Sequence, residues 1–135
     1  MPAQIHMAET AYEGRQGHIR TLDLPKIDVF ENIYPDREYS IRLDFPEFTA
    51  ICPKTGLPDF GVVTIDYTPD KYCLELKSLK EYFLSYRAIG IFHENVVNRV
   101  LDDIILAADM RRAEISVVYN PRGGITTTVS RRYER

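Results

Sequence analysis

Cys52 falls where an apolar run ends and a loop rich in proline and glycine begins, CPKTGLPDFG. A thiol at the end of a regular element can reach an opening, and reactive cysteines occupy such partly exposed places. Asp59 stands seven residues on, and Pro53 and Pro58 stiffen the chain between them, so the loop can turn the carboxyl back toward the sulfur. A thiolate next to a proton donor suits addition to an electrophilic carbon. The same residues also have a plainer reading, with Cys52 a small buried apolar side chain and Asp59 the cap of a turn before Phe60.

Three further groups could bind rather than react. Lys77 and Lys80 are three apart in GLU-LEU-LYS-SER-LEU-LYS order at a strand-to-helix junction, so two ammonium groups project to similar places and could hold a phosphate. Lysines near a helix start oppose its dipole, a mild cost that an anion offsets. Two solvated surface lysines are the alternative. In Phe92-His93-Glu94-Asn95, a carboxylate could accept paired hydrogen bonds from a guanine-like edge, with imidazole beside it. Glu94 and Asn95 could equally be capping residues of the helix that follows. Arg122, before Gly123-Gly124, places a guanidinium beside open backbone and is a weaker phosphate signal. Cys52, Cys73 and His93 have no close-set ligand spacing, so no metal site is expected.

The elements that must position these groups follow from periodicity. Tyr39, Ile41, Leu43 and Phe45 alternate with polar residues as in a half-buried strand, Pro46 interrupts, and Phe48 to Ile51 is another short run. Strands are expected over Gly61 to Tyr67 and from Tyr72 through Leu76. From Ser78 the period changes: Leu79, Tyr82, Phe83 and Tyr86 share one helical face, and Gly90 suits the stop. A second helix is expected from about Glu94 to Met110, with Val97, Val100, Leu101, Ile104 and Ala108 inward. Strands over Glu114 to Tyr119 and Ile125 to Ser130 flank the turn Asn120-Pro121-Arg122-Gly123. This order gives an α+β fold, an antiparallel sheet with two helices on one face. There is neither strand–helix alternation nor a GxGxxG, so a dinucleotide would have to be held by another route. Residues 1–24 lack a period and are expected to form a loosely ordered arm; residues 25–135 form one domain.

Bulk properties narrow the classes. A chain of 135 residues with 44% apolar and 27% charged residues is an ordinary single-domain composition. A net charge of −3 argues against a general nucleic-acid binder. No run approaches the ~18 apolar residues of a membrane span, and the first sixteen residues contain no continuous apolar stretch, so the cytoplasm is the expected compartment. Two cysteines are too few for a disulfide scaffold.

Taken together, FTAICPKTGLPDFG, LELKSLKEYFLSYR, FHEN and NPRGGI, in this order, resemble the single-domain QueF-type 7-cyano-7-deazaguanine reductases of queuosine biosynthesis, over about Glu38 to Ile125. The resemblance implies a tunnelling fold (T-fold), in which subunit sheets join into a barrel with active sites between subunits, here a homodecamer of two pentamers. It implies Cys52 as the nucleophile that forms a thioimide and Asp59 as the proton donor. Leu74, Glu75 and Leu76 would line the substrate site, partly through backbone groups, and His93 and Glu94 would hold the base. Lys77, Lys80 and Arg122 would contact the phosphates of NADPH. No direct nucleic-acid or membrane partner is implied. Some relatives carry a second cysteine just after the His-Glu pair that can protect the nucleophile as a disulfide. Here Asn95-Val96 stands there, and whether Cys73 substitutes is open. A related amidine-forming transferase would share Cys52 and Asp59 but has no use for an NADPH phosphate site, and a catalytically dead purine binder would not need the pair intact.

Overall fold

The computed structural model describes residues 4–5 and 16–135. Its centre is a four-stranded antiparallel sheet in the order β2-β3-β5-β6, formed by β2 (Ile41–Ile51), β3 (Pro58–Thr68), β5 (Arg112–Tyr119) and β6 (Thr128–Glu134). A small antiparallel pair, β1 (Val29–Glu31) with β4 (Tyr72–Leu74), stands apart from it. Helices α1 (Leu76–Leu84) and α2 (His93–Ala108) are joined through a 3-10 turn over Ser85–Ala88.

Alternation decides the layers. Phe48, Ala50, Val63, Ile65, Tyr67, Ile115, Val117 and Tyr119 all point to one face and are buried beneath the helices. Each helix supplies its apolar stripe to that core: Leu79, Tyr82 and Phe83 from α1, and Val96, Val97, Val100, Leu101, Ile104 and Ala108 from α2. The opposite face is polar. Asp66 is cross-strand partner to both Arg42 and Glu114, Thr64 faces Ser116, and Glu114 faces Arg132.

Several boundaries depart from the periodic reading. Pro46 does not end the strand; β2 runs through it with a register shift between Phe45 and Phe48, as a strand at the sheet's edge can. The alternation Tyr72, Leu74, Leu76 continues past the strand's true end, because Glu75 N-caps α1 with both carboxylate oxygens, on the N–H of Lys77 at 2.7 Å and of Ser78 at 2.8 Å. α2 stops at Ala108, with Asp109 in the left-handed conformation at φ 46°. Ile125 belongs to the turn, where it exchanges two backbone hydrogen bonds with Arg122, and β6 starts at Thr128.

Most of the arm expected over residues 1–24 lies outside the described residues. Of the described part, Gly17–Thr21 form a 3-10 helix with Ile19 buried. Arg99 of α2 donates to Ile19 O at 2.5 Å and Leu22 O at 2.6 Å, and Asp103 holds that guanidinium at 2.8 Å.

Chain direction fixes what meets what. β2 and α1 run toward one end of the sheet and β3 and α2 run back from it. The end of β2 bonds to the chain entering α2: Ile51 N–H donates to Ile89 O and Ile91 N–H to Ile51 O, both at 3.0 Å. One end of the molecule therefore collects the end of β2 and the starts of β3 and α2, together with the turn after β5.

Candidate active site

Cys52 is the first residue beyond β2, half-buried, and Asp59 is the second residue of β3. The loop is shorter than its composition suggested. Cys52 N–H donates to Leu57 O at 2.8 Å and Gly56 N–H returns to Cys52 O at 2.8 Å, so the turn closes over Pro53–Gly56, with Gly56 at φ 72°. Asp59 is thus a strand residue opposite Ala50. Cys52 and Ala50 are two apart, so sulfur and carboxylate share a face as diagonal neighbours, with Cβ atoms about 7 Å apart in such an arrangement.

Burial pushes the Cys52 thiol up, but hydrogen bonds from the Thr55 side chain and from the backbone at Thr55 and Lys54 outweigh it. The nearby Asp59 charge adds a smaller upward push, and the net effect holds the thiol below its ordinary value. The turn that sharpens the corner also favours the thiolate.

Asp59 is 4% exposed and both its oxygens are engaged. Oδ1 accepts from Arg122 Nη1 at 2.6 Å, and Oδ2 lies 3.2 Å from His93 Nε2. The same Arg122 nitrogen donates to Pro58 O at 3.1 Å. Arg122 is carried by a tight turn in which Gly123 and Gly124 take φ 59° and 81°, conformations costly for other residues.

His93 opens α2, and its ring lies flat on Tyr119, with centroids 3.6 Å apart and planes at 7°. Tyr119 Oη also donates to His93 O at 3.3 Å. Gly61 makes room for this: a Cβ there would meet Val118 O at 2.7 Å. Burial drives the Tyr119 phenol far above its usual range, so it stays neutral. Glu94 follows His93 on the exposed side of the first turn of α2. Neither Glu94 nor Asn95 caps the helix through its own side chain; Gln16 Oε1 accepts from Phe92 N–H at 3.1 Å and from Asn95 Nδ2 at 3.0 Å.

Five of the expected site residues therefore meet at one end: Cys52, Asp59, His93, Glu94 and Arg122. The other five do not join them within one chain. Leu76 and Lys80 border a hollow with Arg42, Leu43, Phe45, Val63 and Ile65, toward the far end of β2. At about 3.3 Å per strand residue, Phe45 alone is roughly 20 Å from Cys52. Leu74 is buried, with its N–H taken by the Tyr67 hydroxyl at 2.9 Å, so its side chain is not available as a lining surface. Leu76 is 58% exposed, and Lys77 and Lys80 are exposed with no carboxylate within 4.0 Å among the described residues. Cys73 is buried on β4, near Tyr67 at the far end of β3. A disulfide with Cys52 inside one chain is therefore beyond reach, since bridged Cα atoms lie within about 7 Å. Among the described residues no cluster of three potential metal ligands occurs, and no helix is long and apolar enough to cross a membrane.

Sequence reasoning missed Tyr119 and Gln16. Tyr119 had a signal, since it ends the strand that leads into the Arg122 turn and shares the inward parity of Ile115 and Val117.

Comparison with known proteins finds relatives for the chain and a neighbour for its fold. A sequence model of the QueF-like protein family matches residues 58–135. The chain is 57% identical over 109 residues to the NADPH-dependent 7-cyano-7-deazaguanine reductase of Chlorobaculum tepidum, covering 81% of this chain and 93% of that one. It is 54% identical over 112 residues to the enzyme of the same description from Elusimicrobium minutum, covering 83% and 84%. Among solved structures, the apo archaeosine synthase QueF-Like shares the fold, with a TM-score of 0.65 at 22% identity over 69% of this chain and 91% of that one.

Proposed function

Because the chain belongs to the QueF family, we propose that Cys52 is the nucleophile that converts the nitrile of 7-cyano-7-deazaguanine into a reducible thioimide, with Asp59 as the proton donor. The enzyme is an NADPH-dependent oxidoreductase that reduces this nitrile in queuosine biosynthesis, and its fold is the T-fold. The observation that carries the residue assignment is the corner at Cys52, where a thiol biased toward its thiolate shares a face with a buried, doubly held carboxyl group.

A nitrile accepts hydride poorly, but its carbon is electrophilic enough for a thiolate. The Cys52 sulfur adds to that carbon, one π bond of the triple bond opens, and nitrogen takes a proton from Asp59. The product is a thioimide on Cys52. Arg122 on Oδ1 fixes the Asp59 carboxyl, and His93 Nε2 is close enough to Oδ2 to return a proton after it has been given up. The Tyr119 stack keeps the imidazole at that distance. Glu94, exposed beside it, accepts from the N–H groups of the deazaguanine edge.

NADPH supplies the two hydrides that carry the carbon to the aminomethyl level. Lys77 and Lys80 fit its phosphates as paired point charges three residues apart. The helix end itself is not on offer, because the Glu75 carboxylate occupies it and offsets the dipole cost of the lysines. Arg122 is a poorer phosphate candidate than its sequence position suggests, since Asp59 already holds it.

With the two halves of the site at opposite ends of one chain, the complete site forms between copies. Two features support this reading: among the described residues β2 and β6 each leave one edge of the sheet without a partner strand, and one face is polar. We infer closure into pentameric rings, paired as a decamer, with the lysine end of one subunit meeting Cys52 of another. The enzyme works in the cytoplasm on the free base, without direct contact to nucleic acid.

The function is tested by following NADPH absorbance with free 7-cyano-7-deazaguanine: two NADPH are consumed per amine formed. Absence of oxidation by folded protein contradicts the assignment.

A further inference from the structure

We propose that Gln16 is a positioning residue for substrate binding, holding the turn Phe92–Asn95 that presents His93 and Glu94. The inference rests on the assignment of Glu94 to the deazaguanine edge.

The first turn of a helix leaves backbone N–H groups without partners, and a side chain from the preceding residues usually accepts one of them. α2 has no such cap of its own, since the residue before it is Phe92. Gln16, seventy-six residues away in sequence, takes the place. Its Oε1 accepts from Phe92 N–H at 3.1 Å and from Asn95 Nδ2 at 3.0 Å, and its Nε2 lies 3.4 Å from Gly90 O. One amide thus reaches residues on both sides of His93 and Glu94, and touches the segment that bonds to Ile51 next to Cys52.

The segment carrying Gln16 is fixed by other means. Ile19 is 3% exposed within the core, and Arg99, itself held by Asp103, grips the carbonyls of Ile19 and Leu22. Shortening the Gln16 side chain therefore removes the cap without releasing the segment. The consequence falls on the exposed Glu94 and on the His93 ring more than on the buried stripe of α2.

Binding of the nitrile is measured by calorimetry in a Cys52→Ala background, where no covalent bond forms. Gln16→Ala is expected to weaken binding about tenfold, from loss of the bond to Phe92 N–H together with the Asn95 contact. Gln16→Glu keeps the accepting oxygen at a helix start that favours negative charge, so binding within about twofold of the parent is expected. Combined with Glu94→Gln, the losses should be less than additive, since both changes act on the same contact. Affinity unchanged in Gln16→Ala, additive losses, or a Glu variant as weak as Ala overturns the proposal. The Glu variant keeps the test alive if the Ala variant fails to fold. Glu94→Gln binding like the parent while Gln16→Ala binds weakly would fault the role given to Glu94 and leave Gln16 acting through His93.

Discussion

The His93 ring rests on Tyr119 at a centroid distance of 3.6 Å, and this stack sets its Nε2 3.2 Å from Asp59 Oδ2. The aromatic ring, rather than the hydroxyl, is what keeps the imidazole in line. Tyr119→Phe should therefore form the covalent adduct at a rate within about threefold of wild type. Tyr119→Leu, which loses a stack worth ~0.5–1.5 kcal/mol, should slow it by about 2- to 10-fold. Single-turnover rates without NADPH read this directly, and equal rates for both variants would remove Tyr119 from the account.

Arg122 can be tested the same way. A residue that only binds cofactor phosphate has no influence on adduct formation when NADPH is absent. As the holder of Asp59 Oδ1 at 2.6 Å, it should matter then. A charge-assisted hydrogen bond of ~1.5–3 kcal/mol predicts a 10- to 100-fold slower adduct in Arg122→Ala. An unchanged rate, with a raised KM for NADPH, would return Arg122 to the phosphates.

The thiol makes a pH prediction. Because its hydrogen bonds hold Cys52 below the ordinary value, thiolate persists to lower pH than in a free cysteine. The midpoint of the alkylation rate with iodoacetamide should lie below that value, and Thr55→Val should move it upward. A midpoint above the free value would contradict the electrostatics of the loop.

These groups were unequally legible in the sequence. Cys52 and Asp59 could be read from the breaking residues between them, although those residues suggest a loop at Asp59; Pro58 starts the strand, a position where its missing N–H costs little. The core faces of α1 and α2 followed from period alone. β1 is only Val29–Glu31, too short to show a period, and exists because β4 pairs with it. The cap from Gln16 could not be seen at all, since its partners lie more than seventy residues away and only the fold brings them near. Nor could one chain's sequence show that Lys77 and Lys80 lie far from Cys52.

Lys80→Ala should raise the KM for NADPH far more than that for the nitrile; equal effects would make the lysine structural. A shared site adds a sharper outcome. Cys52→Ala and Lys80→Ala proteins, each impaired alone, should recover activity when unfolded and refolded together, because about a quarter of randomly mixed interfaces pair an intact sulfur with an intact lysine. No recovery from properly assembled mixtures would mean that each chain works alone.

The most direct measurement is intact-mass spectrometry of the protein with 7-cyano-7-deazaguanine and no NADPH, followed by mapping of the modified peptide. A gain equal to the whole nitrile is predicted, on Cys52 alone and absent in Cys52→Ala. Bound nitrile with no added mass, or an adduct that survives the substitution, would contradict the account.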